Sequence, residues 1–229
     1  MKSLNIIKSV SPGFDKLLSK CRSVSYESGE SILYQGEVPR NAYLIKSGVI
    51  KVFDIGTNGD EKIVALSAPG EFIPPAWVFN KSPVSLYNYE AFGNCTLYIL
   101  DREVVHETIK NDDDLARKMF DQYIGLYTGA VQQVNALEQS KGADKVLYIL
   151  QYLILRFGSR VSNDAKTIML RLTHQDIASM TGLTRETTSV ELNRLKKNGV
   201  ISYKDQYYTV STSKLLAMLG SDDFMNFKY

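Results

Sequence analysis

The chain has 229 residues, 44% of them hydrophobic and 23% charged, with 27 Lys and Arg against 25 Asp and Glu for a formal charge of +2. That apolar content excludes disorder, which needs low hydrophobicity with high net charge, and the length predicts a soluble protein of one or two domains at roughly 100–200 residues each. No apolar run approaches the ~18 residues needed to cross a bilayer, and the opening MKSLNIIKSVSPGF lacks a signal-peptide core, so no membrane partner and a cytoplasmic location are expected.

Cys21 and Cys95 form no C-x-x-C spacing, which argues against a metal site or a disulfide framework and leaves either two ordinary reduced thiols or a redox-responsive pair. The near-neutral charge speaks against nucleic acid until it is resolved along the chain. Up to Ser140 there are 14 basic and 17 acidic residues, and beyond it 13 basic and 8 acidic. Such asymmetry points to a nucleic-acid or membrane contact in the basic part, although surface charge is often only solvation.

From Ser23 to Leu100 short runs rich in Val, Ile, Tyr and Phe are punctuated by Gly, Pro and Asn about every ten residues, an all-β pattern. Ala42 to Ser47 and Val49 to Phe53 read as strands joined at Gly48. Asn58-Gly59 reads as a type I′ hairpin turn, with positive φ at both central residues, before Lys62 to Leu66. Asp112, Asp113 and Asp114 then open a long helix, where acidic side chains favour the first turn. Within it Met119, Tyr123, Leu126, Ala130, Gln133 and Leu137 alternate at spacings of three and four, a heptad seam that predicts a parallel two-fold dimer or else covers the chain's own core. A hinge is expected near Lys141-Gly142-Ala143. A second helix follows from Asp144 to Phe157, then a polar loop over 159–166 and a strand over Ile168 to Leu172.

Leu172 to Ile201, LTHQDIASMTGLTRETTSVELNRLKKNGVI, carries the most information. Thr173 is placed to cap one helix, with Asp176 at its third position as an imperfect capping box. Gly182 sits in a short turn, and Thr184 caps a second helix that ends near Asn198-Gly199 with Arg194, Lys196 and Lys197 in its closing turns. Two short helices joined by a glycine turn make a helix-turn-helix, whose second helix enters the major groove. Val200 to Tyr203 and Tyr207 to Val210 flank Lys204-Asp205-Gln206 as the hairpin of a wing. Two core helices would pack the same way, but the polar face Arg185, Glu186 and Ser189 is not explained by packing.

This segment, with YESGESILYQGEVPRNAYLIKSGVIKVF and PGEFI upstream, resembles the CRP/FNR family of bacterial transcription regulators over nearly the whole chain. The resemblance implies an α+β architecture: an N-terminal β-roll sensor of the double-stranded jelly-roll type over 1–110, a long dimerisation helix over 111–141 and a C-terminal winged helix-turn-helix over 142–229. It also implies that Arg185 and Glu186 reach a guanine and its neighbouring cytosine, a pairing that Arg donors to O6 and N7 and a Glu acceptor for N4 support chemically. Ser189 matches a third base-facing position. Val190 stands where the family commonly has a further base-reading Arg, and it could instead touch a thymine methyl. Thr173, His174, Thr184, Thr187, Arg194, Lys196, Lys197 and Lys204 are assigned to the DNA backbone, which positions without specifying.

In the CRP branch a Gly-Glu-Leu turn and an Arg-Ser pair hold a cyclic phosphate. Here Pro74-Pro75-Ala76 and Ser85-Leu86 stand in their places. A buried phosphate without cationic or amide partners is unfavourable, so no cyclic-nucleotide cofactor is expected. Trp77, Phe79, Tyr87 and Tyr89 either line a pocket for an unknown small-molecule effector or fill the roll. A single N-terminal cysteine does not suit an iron–sulfur cluster, His106 alone does not make a haem site, and two histidines in all do not make a cupin metal centre. No metal or cofactor is therefore expected. No nucleophile–base pair marks an enzyme. The expected function is a homodimeric, sequence-specific regulator on double-stranded palindromic DNA, touching RNA polymerase if it activates. The alternative is a cyclic-nucleotide-type regulatory module that acts without DNA.

Overall fold

Residues 12–220 are described by a computed structural model of the chain. Helix α1 (Pro12–Lys20) precedes the β-rich part, which has strands β1 (Ser23–Tyr26), β2 (Ser31–Leu33), β3 (Ala42–Ser47), β4 (Ile50–Ile55), β5 (Glu61–Ser67) and β6 (Phe72–Ile73). The one-turn helix α2 (Pro75–Val78) is followed by β7 (Asn88–Ala91), β8 (Cys95–Leu100) and α3 (Arg102–Lys110). The strands form two antiparallel sheets in the orders β1-β8-β3-β6 and β2-β7-β4-β5. Leu33, Ile50, Val52, Tyr89 and Ala91 of one sheet share a core with Ile45, Ile73, Cys95 and Leu97 of the other, which makes the pair a closed roll.

Two local features of the roll differ from expectation. Gly59 has positive φ but Asn58 does not, so the β4–β5 hairpin is a longer loop in which Gly56 donates to Asp60 O and Gly59 to Gly56 O. Asn58 supports that loop through its side chain, which accepts from the Asp60 amide. The cysteines are both free thiols. Cys21 donates to Leu17 O, while Cys95 is buried and its thiol is pushed up to about 11 by burial, which suits a structural cysteine rather than a reactive one.

Helix α4 (Asp113–Glu138) runs 26 residues and leads to α5 (Gly142–Phe157), so the break falls at residues 139–141, at the edge of the expected hinge. The chain divides into two compact units, 1–121 and 122–229, with the division inside α4. The second unit continues with β9 (Gly158–Arg160), β10 (Ala165–Ile168), α6 (His174–Thr181), α7 (Arg185–Lys197), β11 (Ile201–Lys204), β12 (Tyr207–Ser211) and α8 (Thr212–Leu219). Its sheet has the order β11-β12-β10-β9. The strand expected at Ile168 to Leu172 lies earlier, because β9 folds back on β10 with Lys166 opposite Arg160. Asp164 closes that hairpin: its carboxylate accepts from Ser211 Oγ, Thr212 Oγ1 and the Ser213 amide, and these bonds hold it down at about 2. Leu170 and Leu172, read as strand residues, are buried as connections into α6 instead.

Gly48, between β3 and β4, has φ +84°, and a Cβ there would lie 2.5 Å from Cys95 Cβ and 2.6 Å from Asn94 O. Gly48→Ala should therefore lower the unfolding free energy by at least about 1–3 kcal/mol, measured by urea denaturation. An unchanged midpoint would contradict the close approach.

Candidate nucleic-acid interface

The turn between α6 and α7 is built from three local devices. Thr173 and Asp176 form a complete capping box: Thr173 Oγ1 accepts from the Asp176 amide at 3.1 Å, and the Thr173 amide donates to Asp176 Oδ2 at 2.7 Å. Asp serves where Glu or Gln is usual. Gly182 ends α6 in the left-handed region at φ +66°, a conformation that a β-carbon disfavours. Thr184 then starts α7 by accepting from the Thr187 amide at 3.1 Å while its own hydroxyl donates to Thr187 Oγ1 at 3.0 Å. The hydroxyls of both Thr184 and Thr187 are thus engaged in the cap.

These devices orient α7. Thr188, Leu192 and Leu195 are buried on its inner face, α6 packs on α7, and Ala178 of α6 is buried. Arg185, Glu186, Val190 and Asn193 are exposed on the outer face, with Ser189 half-buried among them. Val190 is 66% exposed, an apolar side chain set among the polar ones of that face. Toward the end of α7, Arg194 is paired with Glu191 at 3.2 Å, while Lys196 and Lys197 are exposed in the last turn.

The wing is tied to the same corner. Asp205 and Gln206 both have positive φ, the geometry of a type I′ turn, between Lys204 and Tyr207. The Leu172 amide donates to Gln206 O at 3.0 Å, directly before the Thr173 cap. His174 Nδ1 lies 3.1 Å from Ser189 Oγ, and its ring lies 5.9 Å from that of Tyr203 on β11. Partial burial and the positive charge of Arg185 lower the His174 pKa from its ordinary value. Thr173, the residue before it, and Lys204, the residue after Tyr203, are exposed.

Two residues of this surface went unrecognised in the sequence. Arg171 is exposed, with its guanidinium 5.8 Å from the Tyr207 ring, and the misplaced strand had hidden it. Asn193 follows Ser189 by four residues and was legible from that spacing.

The four aromatics offered as an effector pocket have different surroundings. Trp77 is buried with Arg102 stacked over it at 4.5 Å, and Phe79 stacks on His106 at 6.3 Å, both against α3. Tyr89 lies in the core between the sheets, whereas Tyr87 is exposed. Ser85, at the place of the expected anchor pair, is buried, and its amide donates to Glu37 O and its hydroxyl to Tyr87 O, each at 2.8 Å. His106 contacts Val78 O and Asn80, so it is a packed histidine. Among the described residues no group of three His, Cys, Asp or Glu is placed to hold a metal ion, and no helix is long and apolar enough to cross a membrane.

The residues of the expected dimer seam differ in exposure along α4. Met119 is buried, and Leu126 and Gln133 are partly covered, on the face that also buries Leu115, Gly129 and Ala136 within the chain. Tyr123 is half-buried, and Ala130 and Leu137 are exposed. Besides Leu137, the large apolar side chains left open on α4 are Phe120, Ile124, Tyr127, Val131 and Val134, again at spacings of four and three but one residue further along.

Thr173→Ala removes one half of the capping box and should destabilise the second unit by about 0.5–2 kcal/mol, read from denaturant unfolding of the intact chain. Equal stability would show that the box is dispensable.

Known proteins resemble this chain in both units. Residues 23–112 match the Cyclic nucleotide-binding domain family and residues 147–218 the Crp-like helix-turn-helix domain family. A Fumarate nitrate reduction regulatory protein of Klebsiella oxytoca is 28% identical over 205 residues, covering 87% of this chain and 78% of that protein. The Fumarate and nitrate reduction regulatory protein of Escherichia coli strain K12 is 26% identical over the same shares. Among solved structures, FixK2 from Bradyrhizobium japonicum aligns with a TM-score of 0.72 at 20% identity, covering 86% of this chain and 96% of that one. A CooA mutant from Carboxydothermus hydrogenoformans aligns with a TM-score of 0.75 at 19% identity over 93% and 95% of the two chains, a likeness of fold. With both parts matched in the same order, this chain belongs to the CRP/FNR family of transcription regulators.

Proposed function

We propose that this chain regulates transcription as a two-fold homodimer that reads a palindromic DNA site through the outer face of α7. The observation that carries this is the exposed set Arg185, Glu186 and Val190, with the half-buried Ser189 among them, on the outer side of a helix whose opposite side is buried. Arg185 donates to guanine O6 and N7, Glu186 accepts from cytosine N4, and Val190 meets a thymine methyl. Thr173, His174, Thr184, Thr187, Arg194, Lys196, Lys197 and Lys204, with Arg171 added, surround that face as contacts to the phosphate backbone.

The exposed stripe Phe120, Ile124, Tyr127, Val131 and Val134 supports the pairing. Heptad spacing suits a helix packed along its own two-fold copy, and burial there removes large apolar surface from water. Two readers related by that axis would meet half-sites one helical turn apart, ~34 Å. The sensor is read as independent of cyclic nucleotides, because the hydroxyl and amide of Ser85 are spent on carbonyls of the chain and are not offered to a phosphate. An effector of another class remains compatible with the roll.

Arg185→Ala should weaken binding to the preferred operator by about 1–3 kcal/mol and relax selectivity at one base position per half-site, measured by gel shift on a panel of operator variants. Uniform weakening across the panel would move Arg185 to the phosphate contacts.

A further inference from the structure

His174 is the first residue of α6, yet its ring reaches Ser189 on α7 and lies beside Tyr203 on β11. One imidazole thus contacts both helices of the motif and the wing. Ser189 Oγ, 3.1 Å from Nδ1, is both a donor and an acceptor, and it serves a base edge in either sense until a neighbour claims one of them. We propose that His174 is a positioning residue that sets which base Ser189 selects, by taking the Ser189 hydroxyl proton and leaving only lone pairs for the major groove. This rests on the base-facing role of Ser189 given above.

The tautomer follows from what surrounds the ring. A phosphodiester oxygen only accepts, so a ring that also meets the backbone donates from Nε2, and a neutral imidazole with its proton there has Nδ1 free to accept. The charged and titratable groups near it are Arg185 on α7 and Tyr203 on β11, with Asp176 two residues further along α6. Asp176 is committed to the Thr173 cap, and the Tyr203 hydroxyl points to Leu172 O. The positive charge of Arg185 and partial burial both favour the neutral ring. Ser189 presented as an acceptor matches the amino groups of adenine N6 and cytosine N4; presented as a donor it would match guanine or thymine.

The test is the affinity of the full chain, at neutral pH, for operators that carry each base pair at every half-site position. Ser189→Ala should flatten the preference at one position by about fivefold or more, with adenine or cytosine preferred there by the wild type. His174→Phe and His174→Ala should flatten the same position and leave the others within about twofold. His174→Asn, whose amide occupies the place of Nδ1, should restore the preference. If Ser189→Ala acts at one position while both apolar His174 variants keep wild-type discrimination there, or weaken all operators equally, His174 is a phosphate contact only and the proposal fails. A guanine or thymine preference at the Ser189 position overturns the acceptor assignment. If Ser189→Ala has no position-specific effect, the base-facing role itself is lost, and the proposal with it.

Discussion

Helix α7 has to leave Arg185 and Glu186 exposed and Ser189 half-exposed on one side while Thr188, Leu192 and Leu195 are buried on the other, and the start of the helix decides which residues do which. Shifting that start by one residue rotates every side chain by about 100°, the angle implied by 3.6 residues per turn. The start is held by the Thr184 cap, by the left-handed Gly182 and, one helix earlier, by the Thr173–Asp176 box. The wing joins the same point through the Leu172 amide, the residue before the cap. Backbone hydrogen bonds of short reach therefore place the groups that meet the bases, and the hydrophobic core behind α7 keeps them there.

Helix α4 shows how one helix carries two apolar faces. Leu115, Met119, Leu126, Gly129, Gln133 and Ala136 occupy the face covered within the chain, and Phe120, Ile124, Tyr127, Val131 and Val134 occupy the face left to water. Each follows the alternation of three and four. Periodicity alone reports that an apolar stripe exists and not what covers it: Met119, Leu126 and Gln133 of the expected seam lie on the covered face, while Ala130 and Leu137 are exposed.

Much of the architecture was legible because it depends on local chemistry. The β-roll announced itself by short strands between glycines, and the reader by caps three residues apart and a glycine at the turn. What was not legible depends on contacts distant in sequence. The run Ile168 to Leu172 has the composition of a strand, but pairing with β9 ends the ladder at Ile168 and leaves Arg171 at the surface. Trp77, Phe79, Tyr87 and Tyr89 look like one cluster in sequence, but their partners, Arg102 and His106 on α3 for the first two and the core between the sheets for Tyr89, are set by residues distant in the chain. The pairing of His174 with Ser189, fifteen residues away, carries no sequence signal at all.

The formal charge of +2 is an average over an acidic first part and a basic second part, so modest nonspecific attraction to DNA is expected, and base contacts must supply much of the selection. The most direct test of the account is selection from random-sequence DNA by the purified full chain, followed by sequencing of the bound pool. Two-fold symmetric sites with half-sites one helical turn apart and a fixed guanine–cytosine step in each are the predicted result. Enrichment of unpaired half-sites, or no enrichment beyond that of nonspecific DNA, would contradict it.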